Sequence, residues 1–292
     1  MLLDGHKIAH EIQKEIQELL TQATSRPPCL AAILTTKNPG SLTYVSRKVK
    51  ACHAVGIHSH VFHLEPKNTR ELVSFIHKLN EDTSIDGILI QLPLPPHIDL
   101  LEILQAVDPK KDVDGFHPLN VGKALMQDPT AFYPCTPLGI QVLLERSNIP
   151  IVGQHVVIVG RSNIVGKPLA TLLLQNRKNC NATVTVLHSH SKDIPSITRL
   201  ADILVVAIGH PHYIQADMVR EGATVVDVGI NRIADTSKER GYRIVGDVDF
   251  TAVKPKCRAI TPVPGGVGPM TIAMLLQNTV KSFLIHHAHT KT

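Results

Sequence analysis

Residues 155–174, HVVIVGRSNIVGKPLATLLL, limit the fold more than any other stretch of the 292-residue chain. An apolar run ends at Gly160, Gly166 follows six residues later, and Pro168 stands early in a helix-spaced apolar segment. Proline costs nothing there, because the N–H it lacks has no partner in a first helical turn. Strand, tight glycine turn and helix in this order open a dinucleotide-binding α/β unit. Its backbone N–H groups and the positive end of the helix dipole favour a pyrophosphate, which the glycines let approach closely. Ser162 stands where the usual fingerprint has its middle glycine, and for the glycine pair alone a plain strand-to-helix turn is the alternative.

Strand-like runs continue with TVTVLH, ADILVVAIG and ATVVDVGI. The first half has the same rhythm. CLAAIL (29–34), HVFHL (60–64) and DGILIQL (86–92) read as buried strands, and helical spacing fills 44–55 and 69–79. A βαβαβ order implies a parallel sheet covered by helices. Ahead of it, Ile8, Ile12, Ile16, Leu19 and Leu20 share one face of an N-terminal helix. The Pro-, Gly- and Asp-rich stretch 108–137 marks a junction, and a helix over 138–147 leads into the second unit. The expected fold class is therefore α/β with two α/β domains. The first spans 1–138, a Rossmann-type domain spans 139–269, and a last helix from about Pro269, within 270–292, returns to the first. HHAHTKT at the end reads as a loose tail.

Composition removes several function classes. No apolar run approaches bilayer length, so no membrane is expected. The net charge of +5 is spread along the chain, Trp is absent and aromatics are 3%, so no nucleic-acid platform is expected. Seventeen histidines include no metal-ligand spacing, so no metal is expected. Five scattered cysteines without a Cys-x-x-Cys pair, and an acidic start with Asp4, Glu11, Glu15 and Glu18, fit a reducing cytoplasm.

At the end of the strand after the glycine turn, an NAD site offers a carboxylate to the ribose. Here the sequence is His188, Ser189, His190, Ser191, Lys192. Hydroxyl and basic groups, with Arg161 nearby, favour a ribose phosphate and hence NADP over NAD, the alternative being a solvated loop. In the helix TYVSRKVKACHAVGI, Tyr44 and Lys48 are four apart and share a face, which for an isolated segment also describes an ordinary solvated lysine.

YVSRKVKACHAVGI, DGILIQLPLP, KDVDGFHPLN, PCTP, GRSNIVGKP, DVGINR, GDVDF and TPVPGGVGPMT occur in this order over nearly the whole chain. Together they resemble the bifunctional methylenetetrahydrofolate dehydrogenase/cyclohydrolase family. The resemblance implies NADP-dependent oxidation of 5,10-methylenetetrahydrofolate to the methenyl cation. Hydrolysis of that cation to 10-formyltetrahydrofolate follows, supplying one-carbon units for purine and amino-acid biosynthesis. It implies Lys48 as the key catalytic group, Tyr44 stacking on the folate, Gln91 positioning the amine and Asp114 anchoring the pterin. Leu92, Cys135, Pro264, Gly265 and Gly266 would border the substrate. Gly160, Arg161, Ser162, Ile164, Val165, Gly166, Ser189, His190, Ile230 and Thr271 would contact NADP. A homodimer joined through the dinucleotide domains is also implied. Lys48 could shuttle protons during hydrolysis or chiefly stabilise charge, and Asp114 could instead be a turn residue of DVDG. The family commonly carries Arg or Lys with Thr where this chain has His190 and Ser191, so NADP affinity should fall as pH rises through the histidine titration. Competing readings are an oxidoreductase of another small anion, with Lys48 and Asp114 as acid and base, and a non-enzymatic nucleotide-binding regulator.

Overall fold

The computed structural model describes residues 1–23, 26–238 and 241–288, so the end of the expected loose tail, 289–292, lies outside the described residues. The chain forms two compact units. One holds His10–Cys135 and the residues from Ile272 onward, and the other holds Met1–Ala9 and Thr136–Thr271.

The first unit's elements, in chain order, are α1 (Gly5–Ala23), β1 (Cys29–Leu34), α2 (Pro39–Ala54), β2 (His58–His63), α3 (Thr69–Glu81), β3 (Gly87–Gln91), α4 (Leu100–Ala106) and α5 (Pro118–Leu125). The start of α1 belongs to the other unit. The strands make a parallel sheet of order β2-β1-β3, in which Leu34 pairs with Gln91. Ile33, Leu72, Ile76, Ile88, Ile90 and Ile103 fill its core. Asn38, Asn68 and Asp99 cap α2, α3 and α4 by accepting from Gly40, Glu71 and Glu102 N–H, which fixes where each helix begins. β2 starts earlier than HVFHL and is not buried. It is an edge strand with one neighbour, and its polar His58, Ser59, His60 and His63 suit the half-solvated position. On α1, Ile12 and Ile16 are buried but Leu19 is 43% exposed, so the apolar face narrows to the half-buried Leu20 in the last turns.

Two buried charges tie this sheet to its surroundings. Asp86, just before β3, accepts from Arg26 at 2.8 and 2.9 Å and from Cys29 N–H at 2.8 Å. Lys111 donates to the carbonyls of Leu79, Asn80 and Asp82 at 2.7–3.0 Å, closing the carboxyl end of α3.

α6 (Cys135–Arg146) begins three residues before the expected 138, inside PCTP. The second unit continues with β4 (His155–Val159), α7 (Gly166–Leu173), β5 (Thr183–Leu187), α8 (Ile194–Thr198), β6 (Ile203–Val206), β7 (Thr224–Asp227), β8 (Asn231–Ala234), β9 (Tyr242–Val245), α9 (Phe250–Val253) and β10 (Ala259–Ile260). Its main sheet is all parallel with order β10-β7-β6-β4-β5. β8 and β9 form a separate antiparallel hairpin that the sequence did not announce.

The last helix, α10 (Val267–Ala288), starts two residues before Pro269, and from Ile272 it belongs to the first unit. There Asn278 is buried and donates to Val113 O at 2.8 Å and Tyr133 O at 3.1 Å. One amide thus bonds two carbonyls that flank the segment 114–132. Replacing it by alanine removes both of these hydrogen bonds, a loss of about 2 kcal/mol. Asn278→Ala should lower the urea midpoint followed by far-UV circular dichroism, and an unchanged midpoint would contradict the role given to this amide.

Candidate functional site

Lys48 lies one turn beyond Tyr44 on α2, and its side chain is only 5% exposed. Its Nζ donates to Gln91 Oε1 at 3.1 Å and sits 4.6 Å from the centre of the Tyr44 ring. Gln91 closes β3, and its Nε2 donates to Leu92 O at 2.8 Å. That second bond orients the amide so that its oxygen faces the amine. Gln91 thus meets Lys48 and the backbone at the same time.

Burial pushes the Lys48 pKa down, against the attraction of Asp114 and then of Cys135 and Cys52. Burial likewise pushes the Asp114 carboxyl up, against the attraction of Lys48 and with help from the charge of Asp112. For each partner the loss of water outweighs the pull of the other, so both move toward their neutral forms. Gln91 contributes direction without a negative charge that would hold the extra proton on the amine.

The turn role that the sequence left open for Asp114 falls to Asp112. Its buried carboxylate accepts from Gly115 N–H at 3.1 Å, Phe116 N–H at 3.2 Å, His117 N–H at 2.8 Å and Asn120 Nδ2 at 2.8 Å. Asp112 therefore shapes the loop that carries Asp114. The Asp-x-x-Gly spacing of DVDG was the available signal, since an Asp side chain closing on following N–H groups is an ordinary turn device. Cys135 is buried, donates to Val113 O at 3.4 Å and has its pKa raised well above the usual thiol value by burial. It stays a thiol and packs rather than attacks. Thr35, just past β1, holds a buried Oγ1 without a hydrogen-bond partner among the described residues, and no sequence signal marks it.

The second unit holds the glycine turn. In its sheet, β4 is flanked by β5 on one side and β6 on the other, so the chain reverses its winding between β4 and β6. Ligands of open parallel sheets bind at the carboxyl ends of strands beside such a reversal. Gly160 stands there with φ +130°, and a Cβ on it would overlap Ala207 O of the segment after β6. A Cβ on Gly166 would overlap Gly160 O. Ser162, in place of the middle glycine, accepts at Oγ from Val165 N–H at 3.1 Å and holds the turn closed. Arg161, Ser162 and Ile164 are exposed along this loop, and Val165 is half-buried.

Ser189 and His190 are exposed past β5. The His188 and His190 rings lie 6.2 Å apart, and partial burial, then Arg161 and His190, lower the His188 pKa. The structure thus gathers Arg161 with the two histidines. Ile230 is 65% exposed after β7. Gly265, with φ +113°, accepts from Gly5 N–H at 3.0 Å in the loop with Pro264 and Gly266, and Thr271 pairs with Thr136 at 2.9 Å. A glycine cradle at the winding reversal that carries Arg161, with imidazole and hydroxyl groups past the next strand, fits a dinucleotide.

Sequence models of two families cover most of the chain. The catalytic domain of tetrahydrofolate dehydrogenase/cyclohydrolase matches residues 3–114, and the NAD(P)-binding domain of the same enzymes matches 134–287. The chain belongs to the tetrahydrofolate dehydrogenase/cyclohydrolase family. The bifunctional protein FolD of Protochlamydia amoebophila is 57% identical over 284 residues, 97% of each chain. The crystal structure of the bifunctional enzyme FolD of Campylobacter jejuni superposes with a TM-score of 0.90 at 50% identity, covering 97% of this chain and 98% of that one. The Trypanosoma brucei member, solved with NADP and an inhibitor, gives 0.91 at 39% identity over 100% and 99% of the two chains.

Membership makes the glycine cradle directly testable. Because a methyl group at 166 meets backbone rather than a movable side chain, Gly166→Ala should weaken NADP binding by tenfold or more, roughly 1.4 kcal/mol or above. Titration calorimetry showing wild-type affinity would remove the cradle from the site.

Proposed function

We propose that the chain oxidises 5,10-methylenetetrahydrofolate to 5,10-methenyltetrahydrofolate with NADP and hydrolyses that product to 10-formyltetrahydrofolate. It thereby supplies one-carbon units. The observation that carries this reading is the buried Lys48 amine held by the neutral Gln91 oxygen beside Asp114, in a chain of this family. NADP, when bound, supplies the nicotinamide that takes the hydride from the bridging carbon.

Hydrolysis adds water to the methenyl carbon with loss of one proton. The bond from that carbon to a ring nitrogen then breaks as the nitrogen gains a proton and the new hydroxyl gives up its own, so one proton is released overall. An amine whose ammonium form is disfavoured by burial can take the proton from water and return one to the nitrogen. Gln91 keeps the lone pair directed, Tyr44 provides an aromatic face for the folate, and Asp114 anchors the pterin. Leu92, Cys135, Pro264, Gly265 and Gly266 border the substrate as positioning groups. Gly160, Ser162, Ile164, Val165 and Gly166 receive the dinucleotide, Arg161, Ser189 and His190 its ribose phosphate, and Ile230 and Thr271 its remaining half. The folate part is assigned to 1–138 with 270–292 and the NADP part to 139–269.

The resemblance also supports a homodimer joined through the dinucleotide domains. Cysteines that are all free support a reducing, cytoplasmic setting, and no helix among the described residues is long and apolar enough to cross a membrane.

Lys48→Met tests the assignment, with loss of methenyltetrahydrofolate absorbance as the readout. Hydrolysis should fall by a factor of about 100 or more, the range for removing a general acid–base group. The far-UV spectrum should be retained, because methionine suits the buried position. Undiminished hydrolysis would reject the role of the amine.

A further inference from the structure

Asp227 and Asp247 are 3% and 0% exposed, and no step proposed above uses them. Asp227 ends β7, and its Oδ1 accepts from Gly229 and Asp247 N–H, both at 2.9 Å, while Oδ2 accepts from Val248 N–H at 2.9 Å. Asp247 Oδ2 accepts from Ile208 N–H at 2.8 Å and Gly209 N–H at 2.9 Å, and Oδ1 accepts from Asn231 Nδ2 at 2.8 Å. The two carboxylates are interlocked with two glycines. A methyl group at Gly246 would overlap the Asp227 carboxylate, and one at Gly229 would overlap that of Asp247. The DVG and GDV triplets are thus two halves of one reciprocal lock, each aspartate seated over the other's glycine.

What the lock holds decides its use. Ile208 and Gly209 follow β6, and Ile230, with its 65% exposed side chain, follows β7. Ile230 is tethered on both sides, by Gly229 N–H to Asp227 and by the Asn231 amide to Asp247. An apolar side chain left in water on a doubly tied backbone is preorganised to receive a flat partner. A dinucleotide whose pyrophosphate sits at the β4–α7 turn places one nucleoside over β5 and the other over β6 and β7. The locked segments therefore wall the half of the cleft opposite the adenosine side.

We propose that Asp247, interlocked with Asp227, is a positioning residue that fixes Ile208, Gly209 and Ile230 as the nicotinamide-side wall of the dinucleotide cleft. The inference rests on the NADP reading above. It makes the carboxylate's contribution one of hydrogen-bond acceptance, so a side chain that keeps the acceptor should keep the wall. Asn at 247 preserves one oxygen for Ile208 and Gly209, and the Asn231 amide can turn its own oxygen toward the new NH2 group.

The full-length protein is titrated calorimetrically with NADP+ and, separately, with adenosine 2′,5′-bisphosphate, which occupies only the adenosine side. Wild type should bind both, and if it binds neither the NADP reading itself fails. Asp247→Ala should weaken NADP+ by about tenfold or more while the bisphosphate stays within about twofold. Asp247→Asn should recover most of the loss. In the ligand-free proteins, amide hydrogen exchange at Ile208 and Gly209 should accelerate in Asp247→Ala and not in Asp247→Asn. Equal weakening of both ligands, or of neither, overturns the proposal, as does failure of the asparagine variant to recover binding. Should Asp247→Ala not fold, Asn231→Ala removes only the outer tether. It should weaken NADP+ alone, and unchanged NADP+ affinity would overturn the inference.

Discussion

A primary amine taken out of water and given an uncharged partner is the constraint on which the rest of this molecule depends. An ammonium group loses much of its hydration when buried, and only a nearby full negative charge or good hydrogen bonds can offset that. At Lys48 the hydrogen bond goes to the Gln91 amide oxygen, and the Asp114 carboxyl, itself pushed toward its neutral form, offers reduced compensation. The amine is left readier to part with its proton than a solvated lysine is. α2 exists to carry it one turn from Tyr44, β3 ends where Gln91 can meet it, and α10 returns to secure the segment that presents Asp114 and Cys135.

The same physical device recurs in both units with a different purpose. Asp86, Asp112, Asp227 and Asp247 are all buried, and each is met by backbone N–H groups, by a cation, or by a side-chain amide. Burial raises the pKa of Asp227 to about 6 even so. These carboxylates fasten loops at strand ends, where backbone donors have no sheet partner. Lys111 does the converse for the open carbonyls of α3. The reactive amine is set apart from all of these, because its surroundings orient it without neutralising its tendency to lose a proton.

How much could be read from residues alone follows from how local each cause is. The glycine turn was legible because a positive φ and a backbone approach depend on the identity of Gly160 and Gly166 themselves. Tyr44 and Lys48 were legible as helix neighbours, but their meeting with Gln91 is a contact across 43 positions and came only through family resemblance. Asp112 and Asp114 are two residues apart in one motif, and the loop N–H groups that meet Asp112, rather than spacing, separate the turn-former from the site residue. The β8–β9 hairpin went unseen because its strands are short and polar at alternate positions, and its loop is longer than the two-residue turns with a clear signature. The Asp–Gly lock was present as DVG and GDV in the sequence, yet its reciprocity appears only when Gly229 and Gly246 are seen against the opposite carboxylates.

The direct test is the titration of the Lys48 side chain in the ligand-free protein, followed by NMR of the carbon beside the amine and assigned by its absence from the spectrum of Lys48→Met. Its folded-state pKa is lowered, so stability falls as pH drops from the unfolded-state value toward the folded midpoint, above which the neutral form prevails in the folded protein. The account predicts that Lys48 titrates at lower pH than free lysine side chains, whose ordinary value is about 10.4. A Lys48 signal that titrates together with them would contradict it.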